Sequence, residues 1–488
     1  MTIPTHTAAV HSLPVVVIAG EPLSSADIRA LARGTATAQL GPEVLGRVAA
    51  WAAHAEAVAA TRPVYGRSTG VGANRQVAVA DPAAQAMRLV RSHATSAGPL
   101  RARERVRALL AVRLNQLAAG GNGVAPTVVG ALATMLAADA LPSVRQWGGI
   151  GTGDLSALAT TALALTGELP ATRPVPQTVA FGPGDALAFL SSNAATLADA
   201  ALAVAELRDL VSASLVVAAL TCTAVRGNPE AFAPVVEAAS PFPGAVAVCR
   251  QLRALLDDEA GTAPARIQDP FGLRTLPQVA GVLLDALDQA ESVIKAMSAA
   301  PSENPALHPD LGVAHHGGFH AAALGQALDA LTLAVARAGQ LAFSRLTMLA
   351  EPDLTGDEPF LSDGAPGSSG TMVLEYAAAA ALGDLRALAV PAGLQTVTLS
   401  RGLEDGASYA SLSAGQAFDA IAPLRSIVAA ELLCAARLLG SEASVPAALR
   451  PALNAATDAM PRLDDRADRD LTGDLQALDD LIATGRLG

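Results

Sequence analysis

Aromatic side chains make up only 3% of this 488-residue chain. Alanine and leucine dominate the apolar share instead, so the core is expected to consist of closely packed helices rather than sheets. Cysteines are few and far apart. Cys222, Cys249 and Cys434 lack the paired spacing of a metal site, so each reads as a small buried hydrophobe in a reducing compartment. Clustered positive charge is missing as well. The net charge is −12 and the basic residues are scattered, which argues against nucleic acid and anionic membranes as partners. No targeting segment stands out: Val15–Ala19 is apolar, but no basic region precedes it and it is too short for a signal core. The uncharged stretch Leu114–Ala138 is broken by Gly120, Gly121, Gly123 and Pro126, an arrangement that lipid would penalise. A soluble cytoplasmic protein with no membrane partner is expected.

What the chain does have is apolar residues, 51% of the total, enough for a large core. The first 20 residues read as a ragged end followed by a short strand. From Ser25 to about Gly167, helical patches alternate with glycine-rich segments. Beyond the Gly182-Pro183-Gly184 turn the pattern becomes one of long helices. Leu207, Leu210, Val211 and Leu215 recur at helical spacing, as do Val282, Leu283, Leu287 and Val293. Leu324, Leu328, Leu331 and Val335 follow, then Ile421, Leu424, Ile427 and Val428. The predicted fold is mainly α, with a long-helix bundle over 191–488 and a mixed N-terminal region over 1–190. Leu210–Val225 carries no charge at all, so that helix is apolar all round and buried in a large protein or between subunits. Glu351–Ser369 reads as a surface loop.

The chemistry gathers around Gly148-Gly149-Ile150-Gly151-Thr152-Gly153-Asp154-Leu155. Gly153 lacks a Cβ, so its nitrogen can approach the Gly151 carbonyl and close a ring. Loss of water from that ring and from the Thr152 side chain would leave an electrophilic alkene. The plainer reading is a tight turn in which Asp154 caps the helix Leu155–Leu165. Further segments appear in order: Val64-Tyr65-Gly66-Arg67-Ser68-Thr69-Gly70-Val71-Gly72, Ser92-His93-Ala94, Ser191-Ser192-Asn193, and Gln268-Asp269-Pro270-Phe271-Gly272-Leu273-Arg274. Gly317-Gly318-Phe319-His320 and Leu403-Glu404-Asp405 complete the set. The glycines after Tyr65 lack the lysine of a phosphate loop. His315, His316 and His320 straddle two glycines without metal-site spacing, so no metal is expected.

Order and spacing of these segments, from about residue 50 to 425, resemble the histidine/phenylalanine/tyrosine ammonia-lyase and aminomutase family. The resemblance implies a histidine ammonia-lyase-like fold, a homotetramer, and active sites lined by more than one subunit. It also implies that residues 151–153 form a 4-methylideneimidazol-5-one group. The family triplet is Ala-Ser-Gly; here Gly-Thr-Gly would give a methyl-substituted version, or Thr152 would stay uncyclised. By the same resemblance Tyr65 removes a β-proton, Asn193 stands beside the electrophile and Arg274 grips the α-carboxylate. A phenol with a pKa near 10 needs its phenolate stabilised to serve as a base. Without the family, Arg274 would read as a surface ion pair with Asp269 or a neighbour, and Asn193 as a helix cap. Substrate contacts are implied for Ser92, His93, Gln268, Phe271 and Phe319. Ser92-His93 and Glu404 match histidine lyases and favour a polar ring.

The reading is thus a carbon–nitrogen lyase or aminomutase for an aromatic or imidazole-bearing α-amino acid, needing no external cofactor. Two alternatives stay open. In one, Thr152 is uncyclised and Tyr65 with Glu404 runs other acid–base chemistry. In the other, the chain is a non-catalytic binding homologue.

Overall fold

A computed structural model describes residues 13–257, 263–441 and 445–487. The ragged end expected at the N-terminus lies largely outside them. The described chain is mostly helical, with three two-stranded sheets. Val15–Ile18 pairs in parallel with Thr37–Leu40, Ala97–Leu100 pairs antiparallel with Arg145–Trp147, and Ala306–His308 pairs antiparallel with Gly312–Ala314. The sequence divides most simply at about residue 190, but the compact units share the chain differently. One comprises residues 1–202, 293–322 and 395–411; the other comprises 203–292, 323–394 and 412–488.

At the centre of the first unit lies the helix Arg103–Ala119, buried from Arg105 to Ala118. Burial on every side forces its polar groups to find partners. Arg105 and Arg101 meet Asp199, and Arg107 meets Asp139 and the Leu31 carbonyl. Arg113 pairs with Glu303 at 2.8 Å and donates to the Ala188 and Phe189 carbonyls. Gln116 accepts from the Ser192 hydroxyl at 2.6 Å, while the Ser192 carbonyl accepts from the Asp154 N–H at 2.6 Å. A core side chain therefore reaches the glycine turn through two hydrogen bonds.

The second unit is built on long helices: the latter part of Ala194–Ala224, most of Leu276–Ser298, Ala322–Met348, Met372–Leu388 and Ile421–Leu439. Met372–Leu388 and Thr472–Ala483 both pack on Ile421–Leu439. The periodic residues behave as expected with two exceptions. Val282 is 54% exposed and Val293 only half-buried. Val282 lies one residue, and so about 100° of helix rotation, from the fully buried Leu283. The three cysteines are buried and free, and burial pushes the Cys222 and Cys434 thiols up to about 12. Glu351–Ser369 is an irregular stretch, but it holds short helical turns at Pro352–Thr355 and Pro359–Leu361. One stretch, Met372–Leu394, is long and apolar enough to cross a membrane by length and composition alone.

Candidate active site

A cavity of about 540 Å³ opens in the first unit, within the usual size range for small-molecule sites. Among its lining residues are Tyr65, Arg75, Thr152, His315, Phe319 and Glu404. The Tyr65 turn is tight because the Arg67 and Ser68 N–H groups both donate to the Val64 carbonyl. Gly66 has φ +73°, and a Cβ there would lie 2.1 Å from Leu187 Cδ2, so only glycine lets the turn close on that side chain. The Tyr65 N–H donates to His315 Nε2 at 3.1 Å, and the two rings meet edge to face at 6.4 Å. The phenolic oxygen accepts the Gly72 N–H at 2.7 Å.

That hydrogen bond and the positive charge of Arg75 favour phenolate, as the sequence reading requires. They are outweighed. Burial, aided by the Glu404 carboxylate, holds the Tyr65 phenol above its ordinary value. The expected stabilisation of phenolate is present but insufficient within this single chain.

Thr152 sits between two glycines in left-handed backbone, Gly151 at φ +82° and Gly153 at φ +113°. The Gly153 N–H donates to Asn193 Oδ1 at 3.1 Å, and Asn193 Nδ2 donates to the Phe319 carbonyl at 2.6 Å. Asn193 thus commits one end of its amide to the loop and the other to Phe319 instead of capping the helix that begins at Ala194. Asp154 does not cap its own helix either. Its carboxylate accepts from the Thr196 N–H at 2.7 Å and the Thr196 hydroxyl at 2.9 Å. Burial nonetheless pushes the Asp154 carboxyl up.

Other expected residues lie outside the cavity lining. Ser92 and His93 close the helix Pro82–His93, and both side chains bond back to the Leu89 carbonyl, at 3.0 and 2.9 Å. Gln268, Phe271 and Arg274 belong to the second unit. There Arg274 Nη1 donates to Gln268 Oε1 at 2.8 Å and the guanidinium stacks 4.7 Å over the Phe271 ring. Asp269 is engaged by Arg266 and by the Asn228 N–H, so the plain surface pair of Arg274 with Asp269 does not form. Among the described residues no three His, Cys, Asp or Glu side chains gather as metal ligands. His316 is held instead by the Glu303 carbonyl and the Gly318 N–H. Arg75 and Gln76 line the cavity without having been singled out from sequence. Their one signal is that they follow Gly72 within four residues.

The profile of the aromatic amino acid lyase family matches residues 23–460. The chain belongs to that family. A histidine ammonia-lyase of Streptomyces coelicolor is 34% identical over 498 residues, covering 97% of each protein. Among solved structures of the family, a tyrosine aminomutase from Streptomyces globisporus superposes with a TM-score of 0.89 at 26% identity, covering 97% of this chain and 98% of that one. Histidine ammonia-lyase from Trypanosoma cruzi gives 0.88 at 25% identity, covering 97% and 94%. This aromatic amino acid lyase is accordingly an ammonia-lyase or aminomutase.

Proposed function

We propose that this enzyme breaks or migrates the carbon–nitrogen bond of an aromatic or imidazole-bearing α-amino acid, using an electrophile that Gly151, Thr152 and Gly153 form from their own backbone. The observation that carries the reading is the juxtaposition of Tyr65, Thr152 and Glu404 in one cavity. The loop fits the group. Glycines flank Thr152, the Gly153 N–H is directed by Asn193, and the Gly151 carbonyl accepts hydrogen bonds from the Ser408 hydroxyl at 2.6 Å and the Ala321 N–H at 3.2 Å.

The group supplies an electrophilic carbon for the substrate amine and so makes nitrogen a better leaving group. The remaining work falls to side chains. Tyr65 takes the β-proton onto its phenolic oxygen. Arg274 lies outside this cavity in the single chain; as a planar fork suited to carboxylates, it would hold the α-carboxylate in a site that a neighbouring subunit completes. Phe271 under its guanidinium limits the directions in which that fork can point. Glu404 accepts a hydrogen bond from a polar substrate ring.

The proposed assembly is a homotetramer. Apolar side chains stand out from several long helices in the single chain: Val282 and Leu333 at 54% and 51% exposure, Val373 and Tyr376 at 65% and 69%. Subunit packing of the kind the family resemblance implies would cover them.

The deciding experiment is the mass of the unfolded, purified chain. It should fall two waters below the sequence mass, with the loss mapped to the peptide that holds residues 151–153. A full-mass chain that still releases ammonia would favour the uncyclised alternative.

Substrate preference follows from Glu404. A phenyl ring leaves that carboxylate without a hydrogen-bond donor, at about 1–3 kcal/mol, or roughly ten- to hundred-fold in kcat/KM. Histidine or an imidazole analogue should therefore outperform phenylalanine in ammonia release. Faster turnover of phenylalanine than of every polar-ringed amino acid would show that Glu404 does not face the ring.

A further inference from the structure

We infer that Ser408 is a positioning residue for ring formation: its hydroxyl orients and polarises the Gly151 carbonyl, and residue 151 is glycine because that hydroxyl occupies the space a Cβ would need. The inference rests on the ring-forming reading of residues 151–153.

Ser408 is buried, at 6% exposure, and its hydroxyl lies 2.6 Å from the Gly151 oxygen. The Ala410 N–H approaches the same Ser408 oxygen at 3.3 Å. That oxygen accepts from Ala410, which leaves its single proton to point at Gly151. The Ala321 N–H occupies the other side of the carbonyl at 3.2 Å. Two donors on one carbonyl oxygen is the arrangement that stabilises negative charge when the carbonyl carbon is attacked.

The rest of the segment is braced around this contact. The Tyr409 N–H donates to the Ile150 carbonyl at 2.9 Å, and the Ser411 hydroxyl donates to the Gly149 carbonyl at 3.1 Å. Three successive carbonyls, 149 to 151, are therefore gripped by residues 408 to 411. Tyr409 adopts φ +50° to deliver these donors, a left-handed conformation that a non-glycine residue keeps only when its surroundings over-determine it. On the other side of Thr152, Asn193 directs the attacking nitrogen.

A Cβ built on Gly151 would lie 2.2 Å from Ser408 Oγ, 2.7 Å from the Ala410 nitrogen and 2.8 Å from the Tyr409 nitrogen. A methyl at 151 and a hydroxyl on its carbonyl therefore exclude each other in this geometry.

The step balances without any co-reactant. The Gly153 nitrogen bonds to the Gly151 carbonyl carbon, and the carbonyl oxygen takes up the proton that nitrogen loses. A second proton, from the Thr152 backbone nitrogen, leaves with that oxygen as water, giving the ring C=N bond between that nitrogen and the former Gly151 carbonyl carbon. The other water comes from the Thr152 Cα–H and its Oγ. Ser408 and Ala321 donate throughout and are not consumed.

The test compares intact masses and the mapped 151–153 peptide for the parent chain, Ser408→Ala, Ser408→Thr and Gly151→Ala, with helix content checked by circular dichroism. The parent and Ser408→Thr, which keeps the hydroxyl, should lack two waters. Ser408→Ala should slow dehydration by roughly 10²–10³-fold, the scale expected for losing one oxyanion donor, so the dehydrated fraction at matched early times after synthesis should fall at least about tenfold. Gly151→Ala should do the same by displacing Ser408, although it restores the residue of the family triplet. If Ser408→Ala does not fold, Ser408→Cys, which keeps the volume but donates weakly, serves in its place. Full dehydration of the folded Ala or Cys variant overturns the role of Ser408 and leaves the ring intact. A parent that carries all its water overturns the ring-forming reading itself.

Discussion

Replacing Tyr65 with phenylalanine should lower kcat by roughly 10²–10⁴-fold, the usual loss when a positioned base is removed, while fold and assembly persist. The substitution deletes one oxygen and leaves the ring that packs edge to face on His315. Its structural cost is confined to the Gly72 N–H, which loses its acceptor, at about 1 kcal/mol. That is too small to unfold a chain of this size. The pH profile adds a check that a structural role would not move. Burial and Glu404 hold the phenol above its ordinary value, so the base form is a minority at neutral pH. Below that pKa the phenolate fraction grows tenfold per pH unit, and kcat/KM should climb with pH across the neutral range. In the phenylalanine variant the residual rate should lose that slope. A variant with near-normal kcat would remove Tyr65 from the chemistry.

Arg345→Met should destabilise the protein by about 3–5 kcal/mol, the cost of stranding one partner of a buried ion pair. Arg345 and Glu431 are 1% and 0% exposed and meet through two bonds, Nε to Oε1 at 2.6 Å and Nη2 to Oε2 at 2.8 Å. The Thr221 hydroxyl adds a third donor to Glu431 at 2.8 Å. Burial pushes the Glu431 carboxyl up, and Arg345 opposes it. Without the arginine, burial acts alone and the carboxylate must take up a proton or strain the core. Pairing Arg345→Met with Glu431→Leu should recover most of the loss, because a packed apolar pair of similar volume is often neutral. Denaturant midpoints at one fixed protein concentration would measure both variants, since an assembly's stability depends on concentration. Light scattering of the same parent sample should read a tetramer, and a stable monomer would remove assembly from the reading. Arg345 Nη1 also reaches the Gly272 carbonyl at 3.3 Å, within the segment that carries Arg274. The folded fraction of Arg345→Met should accordingly show a raised KM. A variant as stable as the parent would show that Glu431 is neutral or hydrated in the native state.

Much of this architecture was legible in the chain. Periodic leucines marked the long helices, and the order of the Tyr65, Thr152, Asn193 and Glu404 segments marked the cavity, because local spacing and turn chemistry are written in consecutive residues. Cross-chain hydrogen bonds leave no such trace. Asp154 looks like a cap, yet its acceptors serve Thr196, which lies 42 positions away. The helix Arg103–Ala119 carries four arginines, yet it is buried from Arg105 to Ala118 because Asp199, Asp139 and Glu303 arrive from distant segments to meet three of them. Ser408 carried no signal at all, because a single serine is informative only once its distance to Gly151 is known.

The hydrogen-bonded line from Gln116 through Ser192 to the glycine turn has a consequence for how this protein can change over generations. The glycine turn of the cavity is anchored to a helix buried from Arg105 to Ala118, so heritable variation there is eliminated together with folding. Arg75, Gln76, Leu403 and Glu404 also line the cavity, on surface segments joined by the Ala73 N–H on Ser400 Oγ at 3.1 Å. Drift can rewrite these four side chains while the Ser408–Ser411 stretch keeps its hold on the turn. Descendants of such a scaffold can therefore exchange one amino-acid substrate for another through a handful of surface codons, while the reaction itself is inherited unchanged.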